Sequence, residues 1–152
     1  MITVFYKEKQ NVTNNKSFSP SASKPKKVYD LFKDNPHVVI NSDWEPITKE
    51  QFYISHDKSY VDGVLDCTAI NGFGNNIKEV ADSLPYTSGS FYNAAVHALS
   101  NRVAMSPTSG FHHARYDSGG AFCTFNGLTI TAQLLKKNHK VKKIGIIDFD
   151  AH

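Results

Sequence analysis

The sequence predicts an α/β fold, a parallel sheet flanked by helices. Short β-branched runs alternate along the chain with longer segments of helical periodicity. Strand, loop, helix and strand follow one another at the C-terminal end, the order of a βαβ unit. The length, 152 residues, suits one domain with a sizeable core.

Ile2 to Tyr6 alternates β-branched and aromatic residues and reads as a strand. Residues 10–28 are rich in Asn, Ser, Lys and Pro, which predicts a long surface loop. A short helix is expected over Lys27–Asn35, and Val38-Val39-Ile40 reads as a buried strand. Lys49–Ser55 and Ser59–Leu65 read as short helices. Residues 68–75 form a loop broken by Gly72 and Gly74. Two further helices are expected, Ile77–Leu84 and Ser90–Leu99, the second capped by Ser88 or Ser90. Phe91, Ala94, Ala95 and Ala98 share one of its faces. Arg102–Met105 resembles a short core strand that opens into the loop Ser106–Gly120. Asn126–Asn138 repeats Leu128, Thr131, Leu134 and Leu135 at helical spacing, and a last strand follows Val141. No internal repeat is visible.

Composition narrows the function. Hydrophobic residues make up 40% and charged residues 20%, the balance of a globular chain. The net charge of +3, from 17 basic and 14 acidic residues, is too even for a nucleic-acid face. Lys136, Lys137, Lys140, Lys142 and Lys143 cluster, but at a predicted helix C-terminus, where cations complement the dipole. Two cysteines, Cys67 and Cys123, have no CxxC spacing and form no disulfide framework. The N-terminus lacks the apolar core of a signal peptide, and no stretch approaches the ~20 apolar residues of a membrane span. A reducing, cytoplasmic setting is expected.

The chemistry gathers where parallel sheets leave an open edge, beyond the carboxyl ends of the strands. His112-His113 lie in the Gly-rich loop after Arg102–Met105, and Asp148, Asp150 and His152 close the final apolar run. Side chains alternate along a strand, so an extended backbone puts 148, 150 and 152 on one side. Carboxylate oxygen with imidazole nitrogen suits zinc, with a position left for water. Such a metal lowers the pKa of bound water and polarises a carbonyl, while an unligated histidine serves as base and then acid. Lone histidines (His37, His56, His97 and His139) read as surface or satisfied core residues.

Four segments resemble the histone deacetylase superfamily, with its bacterial deacetylase-like and acetylpolyamine amidohydrolase members. They are His56-Asp57-Lys58-Ser59-Tyr60-Val61-Asp62-Gly63-Val64-Leu65, Ser109-Gly110-Phe111-His112-His113-Ala114, Gly120-Ala121-Phe122-Cys123-Thr124-Phe125-Asn126 and Ile147-Asp148-Phe149-Asp150-Ala151-His152. The resemblance implies the arginase/deacetylase fold, of which residues 1–152 would be the N-terminal part, and hydrolysis of an acetyl-lysine or acetylpolyamine amide. It implies zinc or ferrous iron on Asp150 and His152, and His113 as general base and acid. His112 becomes its electrostatic partner, oriented by Asp148, which also holds a structural potassium ion. Phe122 walls the tunnel for the acyl-lysine stem. Ala121 narrows that tunnel where the family often carries Gly, and Asp82 is the nearest acidic candidate for the rim.

The family's third zinc ligand, its oxyanion-assisting tyrosine and the carboxylate partner of His113 have no counterpart in these residues. The 152-residue chain alone is therefore expected to be inactive, with self-association through an uncovered sheet edge as a risk. Three other readings compete. One is a non-catalytic acyl-lysine or polyamine binder, or a remnant. Another is a haloacid dehalogenase-type phosphatase, suggested by Ile146–Asp150 but opposed by the motif's place and by His152. The third, an arginase-like manganese enzyme, is opposed by Ala121-Phe122-Cys123.

Overall fold

The computed structural model describes residues 1–151. A three-stranded parallel sheet stands at its centre: β1 (Ile2–Phe5) lies between β2 (Val38–Asn41) and β3 (Ala104–Met105). Ile2 pairs with Val38 and Phe5 with Asn41, while Thr3 and Val4 pair with Ala104 and Met105. All three strands therefore end on one edge, the edge where the sequence places its chemistry. β2 is an edge strand and only half-buried, with Val39 exposed, where the sequence suggests a buried one.

The helices are α1 (Lys24–Phe32), α2 (Lys49–Phe52), α3 (Lys58–Leu65), α4 (Lys78–Asn101) and α5 (Gly127–His139). Asp57 caps α3 by accepting from the Tyr60 N–H, and Asn126 caps α5 by accepting from the Thr129 N–H. Lys140 ends α5 in a left-handed conformation. Among the described residues no helix is long and apolar enough to cross a membrane.

Two larger expectations also fail. The helices predicted at 77–84 and 90–99 are one helix, α4, running through Pro85. An interior proline costs roughly 3 kcal/mol. That cost is offset by burial on both sides of it: Val80, Ala81 and Leu84 before, Thr87, Ser88 and Ser90 after. Ser88 and Ser90 are consequently not caps. Ser90 is fully buried and its hydroxyl donates to the Phe5 carbonyl (2.6 Å) and meets Ser106 Oγ (2.6 Å), tying the ends of β1 and β3 to the helix. Gly89 is required by close approach, since a Cβ there would stand 2.9 Å from Pro46 Cα.

The second failure is the last strand. Residues 141–151 form no regular element, and among the described residues no ladder bond reaches them. Ile146, Ile147 and Phe149 are exposed, Phe149 at 92%. An apolar run of this kind is stable as a strand only when paired at its edge and covered on both faces, and this one has neither.

The main core joins Ile47, Phe52, Val61, Val64 and Leu84 to Phe125, Ile130 and Leu134. A smaller cluster of Val12, Ala22, Phe73 and Val80 supports Phe122 from below. Its first two members come from the segment expected as a surface loop. Residues 10–28 do lack a strand, but they fold back on the domain, burying Gln10, Asn15, Ser19 and Pro25, and α1 already starts at Lys24.

Candidate functional site

The loop leaving β3 is held by its apolar residues, which leaves its histidines for chemistry. Phe111 is buried, its ring 5.5 Å from Phe91 of α4. It sits so close to Gly127 that a Cβ there would lie 2.6 Å from ring atoms. The Ala114 N–H donates to the Phe111 carbonyl (3.1 Å), closing a turn around His112 and His113. Their ring centroids lie 4.1 Å apart at 56°.

His112 directs Nδ1 at Asp148 Oδ2, 3.5 Å away, which leaves Nε2 as its other polar atom. That Nε2 is buried and, among the described residues, has no hydrogen-bond partner. Such an atom is costly unless something polar meets it.

A second tight turn faces the first. Gly120 and Cys123 exchange backbone hydrogen bonds (3.0 and 2.9 Å), with Ala121 at φ 46° and Phe122 at φ 67° between them. Both central residues are in the left-handed region that favours glycine, at a cost of roughly 1–2 kcal/mol each. The turn persists because its surroundings fix it. Phe122 N–H donates to the Gly72 carbonyl (2.9 Å), and Gly72 N–H donates to Thr124 Oγ1 (3.0 Å). A Cβ on Gly72 would lie 2.2 Å from the Cys123 carbonyl oxygen.

Behind both turns stands His56, 2% exposed. Its Nδ1 lies 3.1 Å from the Tyr116 carbonyl, and its Nε2 accepts from the Asn126 N–H at 2.9 Å. Those partners fix a neutral ring with the proton on Nδ1, and burial holds its pKa below the ordinary histidine value. His56 is thus the satisfied core histidine that the sequence suggests.

These parts enclose a cavity of ≈ 410 Å³. Thr108, Ser109, Gly110, His112 and His113 form one wall, and Ala121, Phe122 and Cys123 another. Ser19, Ser21 and Lys24 come from the chain after β1, and Asp150 from the terminal segment. Burial pushes the Cys123 thiol up, and the nearby carboxylates of Asp150 and Asp148 add to that shift. Asp150 thereby reaches the cavity without a strand to carry it, and its N–H donates to Asp148 Oδ1 (2.9 Å).

The structure therefore brings His112, His113, Ala121, Phe122 and Asp150 together, with Asp148 beside His112. It does not bring Asp82 there. Asp82 is paired with Lys78 (2.6 Å) and lines a separate groove with Lys9, Ser83 and Tyr86. His152 lies outside the described residues. Sequence reasoning missed Ser19, Ser21, Lys24, Thr108 and Cys123. The available signal was topological: the chain after β1 leaves the same sheet edge as the chain after β3.

Asp150 and the imidazoles on this edge have the donor chemistry of a zinc or ferrous-iron site. Among the described residues, however, no three His, Cys, Asp or Glu side chains converge to hold an ion.

Comparison with known proteins bears on the fold and the family. A solved structure, the HDA15 HD domain, superposes on 90% of this chain and 44% of its own, with a TM-score of 0.68 at 15% identity, a likeness of fold. Polyamine deacetylase HDAC10 of Danio rerio is 25% identical over 125 residues, covering 69% of this chain and 18% of that protein. Histone deacetylase 14, chloroplastic, of Arabidopsis thaliana is 28% identical over 131 residues, 73% of this chain and 31% of that protein. The chain thus spans less than a third of the length of either curated relative. The family model of the histone deacetylase domain matches residues 20–152, most of the chain, and the protein belongs to the histone deacetylase family.

Proposed function

We propose that this chain supplies the acid–base half of a metal-dependent deacetylase that hydrolyses an acetyl-amide, an acetyl-lysine or an acetylpolyamine. The carrying observation is the His112–His113 pair on one cavity wall, with Asp148 at 3.5 Å from His112 and Asp150 on the same cavity. Family membership and the relatives named as deacetylases support it.

In this reading Asp150 and His152 hold zinc or ferrous iron together with a donor from beyond the described residues, and Asp148 contributes to a potassium site. The metal's contribution, when bound, is to polarise the acetyl carbonyl and acidify water. His113 takes the proton from the attacking water and returns it to the departing amine. His112, its Nδ1 directed at Asp148, supports the charge that gathers on its neighbour. Phe122 and Ala121 line the passage for the substrate stem. Asp82, paired with Lys78 on another groove, plays no part in it.

The reading is tested with the complete protein carrying this chain, assayed on an acetyl-lysine peptide and an acetylated diamine. His113→Ala should lower kcat by roughly 10²–10⁴-fold, and a strong chelator should abolish turnover reversibly. Turnover that survives both treatments would falsify it. The 152-residue chain alone is expected to show no turnover, because the proposed donor set needs a ligand beyond the described residues. The competing reading is an acyl-binding domain without turnover. Acetyl-peptide binding by a complete protein that never releases acetate would establish it.

A further inference from the structure

We infer that the substrate carries a carboxylate close to its scissile amide, and that Arg115 receives it. The inference deepens the amide-hydrolase reading above and rests on it. A second cavity, of ≈ 280 Å³, adjoins the catalytic one, and His113 and Ala121 line both. Arg115, Ser118, Gly119 and Gly120 complete its wall. The residue proposed to move the proton therefore borders the space into which Arg115 brings its charge.

Arg115 is exposed, but its backbone is fixed on every side. Its N–H donates to the Ser118 carbonyl (2.8 Å). The carbonyl before it, of Ala114, accepts from Asn126 Nδ2 (3.3 Å). The carbonyl after it, of Tyr116, accepts from the Asp57 N–H (2.9 Å). The guanidinium itself enters no ion pair among the described residues. Asp117, two positions on, lines neither cavity, and its Oδ1 accepts from the Ser118 hydroxyl (3.3 Å).

Among the described residues no acidic side chain lines the second cavity, and Ala121 is its one apolar side chain. Such a wall offers little to an alkyl group. It suits a planar anion, which a guanidinium takes through two parallel N–H bonds. Lys24 adds positive charge on the catalytic cavity, where the lining carboxylate, Asp150, is read as a metal ligand. A further ammonium on the substrate, as an acetylpolyamine carries, would meet like charge at both places. The arrangement thus favours an acylated lysine with a carboxylate near its amide over an acylated polyamine. Two sources supply that carboxylate: an acidic residue beside the lysine, or a dicarboxylic acyl group on it.

The test uses the complete protein and four probes. Three are peptides: acetyl-lysine between glutamines, acetyl-lysine between glutamates, and succinyl-lysine between glutamines. The fourth is an acetylated diamine. At least one carboxylate probe should exceed the acetyl-glutamine peptide in kcat/KM by about tenfold, the scale of one charge-assisted pair. Which of the two gains identifies the source. Arg115→Gln should remove that advantage and leave the acetyl-glutamine peptide within twofold. Arg115→Glu should go further, lowering the favoured probe and raising the diamine. Tm should hold in both variants, because the side chain is exposed. No carboxylate advantage, an advantage that survives Arg115→Gln, or an equal loss on every probe would overturn the role of Arg115 and leave the hydrolase reading standing. Absence of turnover by the unaltered protein on all four probes would overturn both.

Discussion

Two regions meet at the cavity, and they are made differently. The double-turn region, residues 108–126, is clamped by buried aromatics, close glycine contacts and paired backbone groups. The terminal region, 141–151, carries Asp148 and Asp150 but has no ladder partner and exposes its isoleucines and Phe149. The lesson is that the described residues fix the His112–His113 pair by their own packing, whereas Asp148 and Asp150 hang on an apolar strip that this packing does not cover. Preorganisation of the first kind is what the proton transfer proposed for His113 would need.

The contrast breaks most sharply at Gly72. Gly72→Ala drives a Cβ into the Cys123 backbone at 2.2 Å, where no side chain can swing away. We expect a loss of at least about 3 kcal/mol, or failure to fold, read by chemical denaturation. Phe149→Ala is the matched probe on the other region. It should leave the midpoint unchanged within about 0.5 kcal/mol, since the ring is already in water. Equal effects at the two positions would erase the distinction.

His56 gives the next largest effect and ties the contrast to pH. Its ring joins the Tyr116 carbonyl to the Asn126 N–H, so His56→Ala removes two bonds and opens a buried hole, at a cost of roughly 2–4 kcal/mol. Burial depresses its folded pKa below the ordinary 6.5. The unfolded chain therefore binds the proton first as pH falls. The stability that His56 contributes is fully present above pH 6.5 and is lost as pH drops from there through the lower folded pKa. Protonation would also set an Nε2–H against the Asn126 N–H. Denaturation between pH 7.5 and 5, conditions chosen to span about one unit on either side of the histidine range, should show a slope in the unaltered chain that His56→Ala reduces.

Much of this organisation was legible in the residues. β-branched runs located β1 and β2, the short stretch Arg102–Met105 located β3, and the double histidine and Asp150 do line one cavity beyond the sheet edge they pointed to. What failed did so for tertiary reasons. Pro85 signals a helix break locally, but burial on both its flanks carries α4 across it. The apolar run at 144–149 has a strand's pattern, yet a pattern cannot say whether a partner edge and two covering layers exist. Residues 10–28 have a loop's composition, which hides that Asn15 and Ser19 are buried and that Ser21 reaches the cavity. Asp82 was chosen for its charge alone, and charge gives no position.

The smallest effect expected inside the clamped region sharpens the comparison because its sign is opposite. Ala121 holds a left-handed φ of 46° in the clamped region, and its backbone pays for that at all times. Ala121→Gly removes the strain of roughly 1–2 kcal/mol but frees the unfolded chain by about 0.4–1 kcal/mol. A net gain of about 0.5–1 kcal/mol should remain, measured as a raised denaturation midpoint. Gly145→Ala offers no such relief of strain, since a Cβ there would meet no atom within 4 Å. If Ala121→Gly instead destabilised the chain by as much as a glycine costs in an unstrained segment, the turn would not be holding Ala121 under strain. The aromatic wall would then owe its position to Phe73 and Gly72 alone.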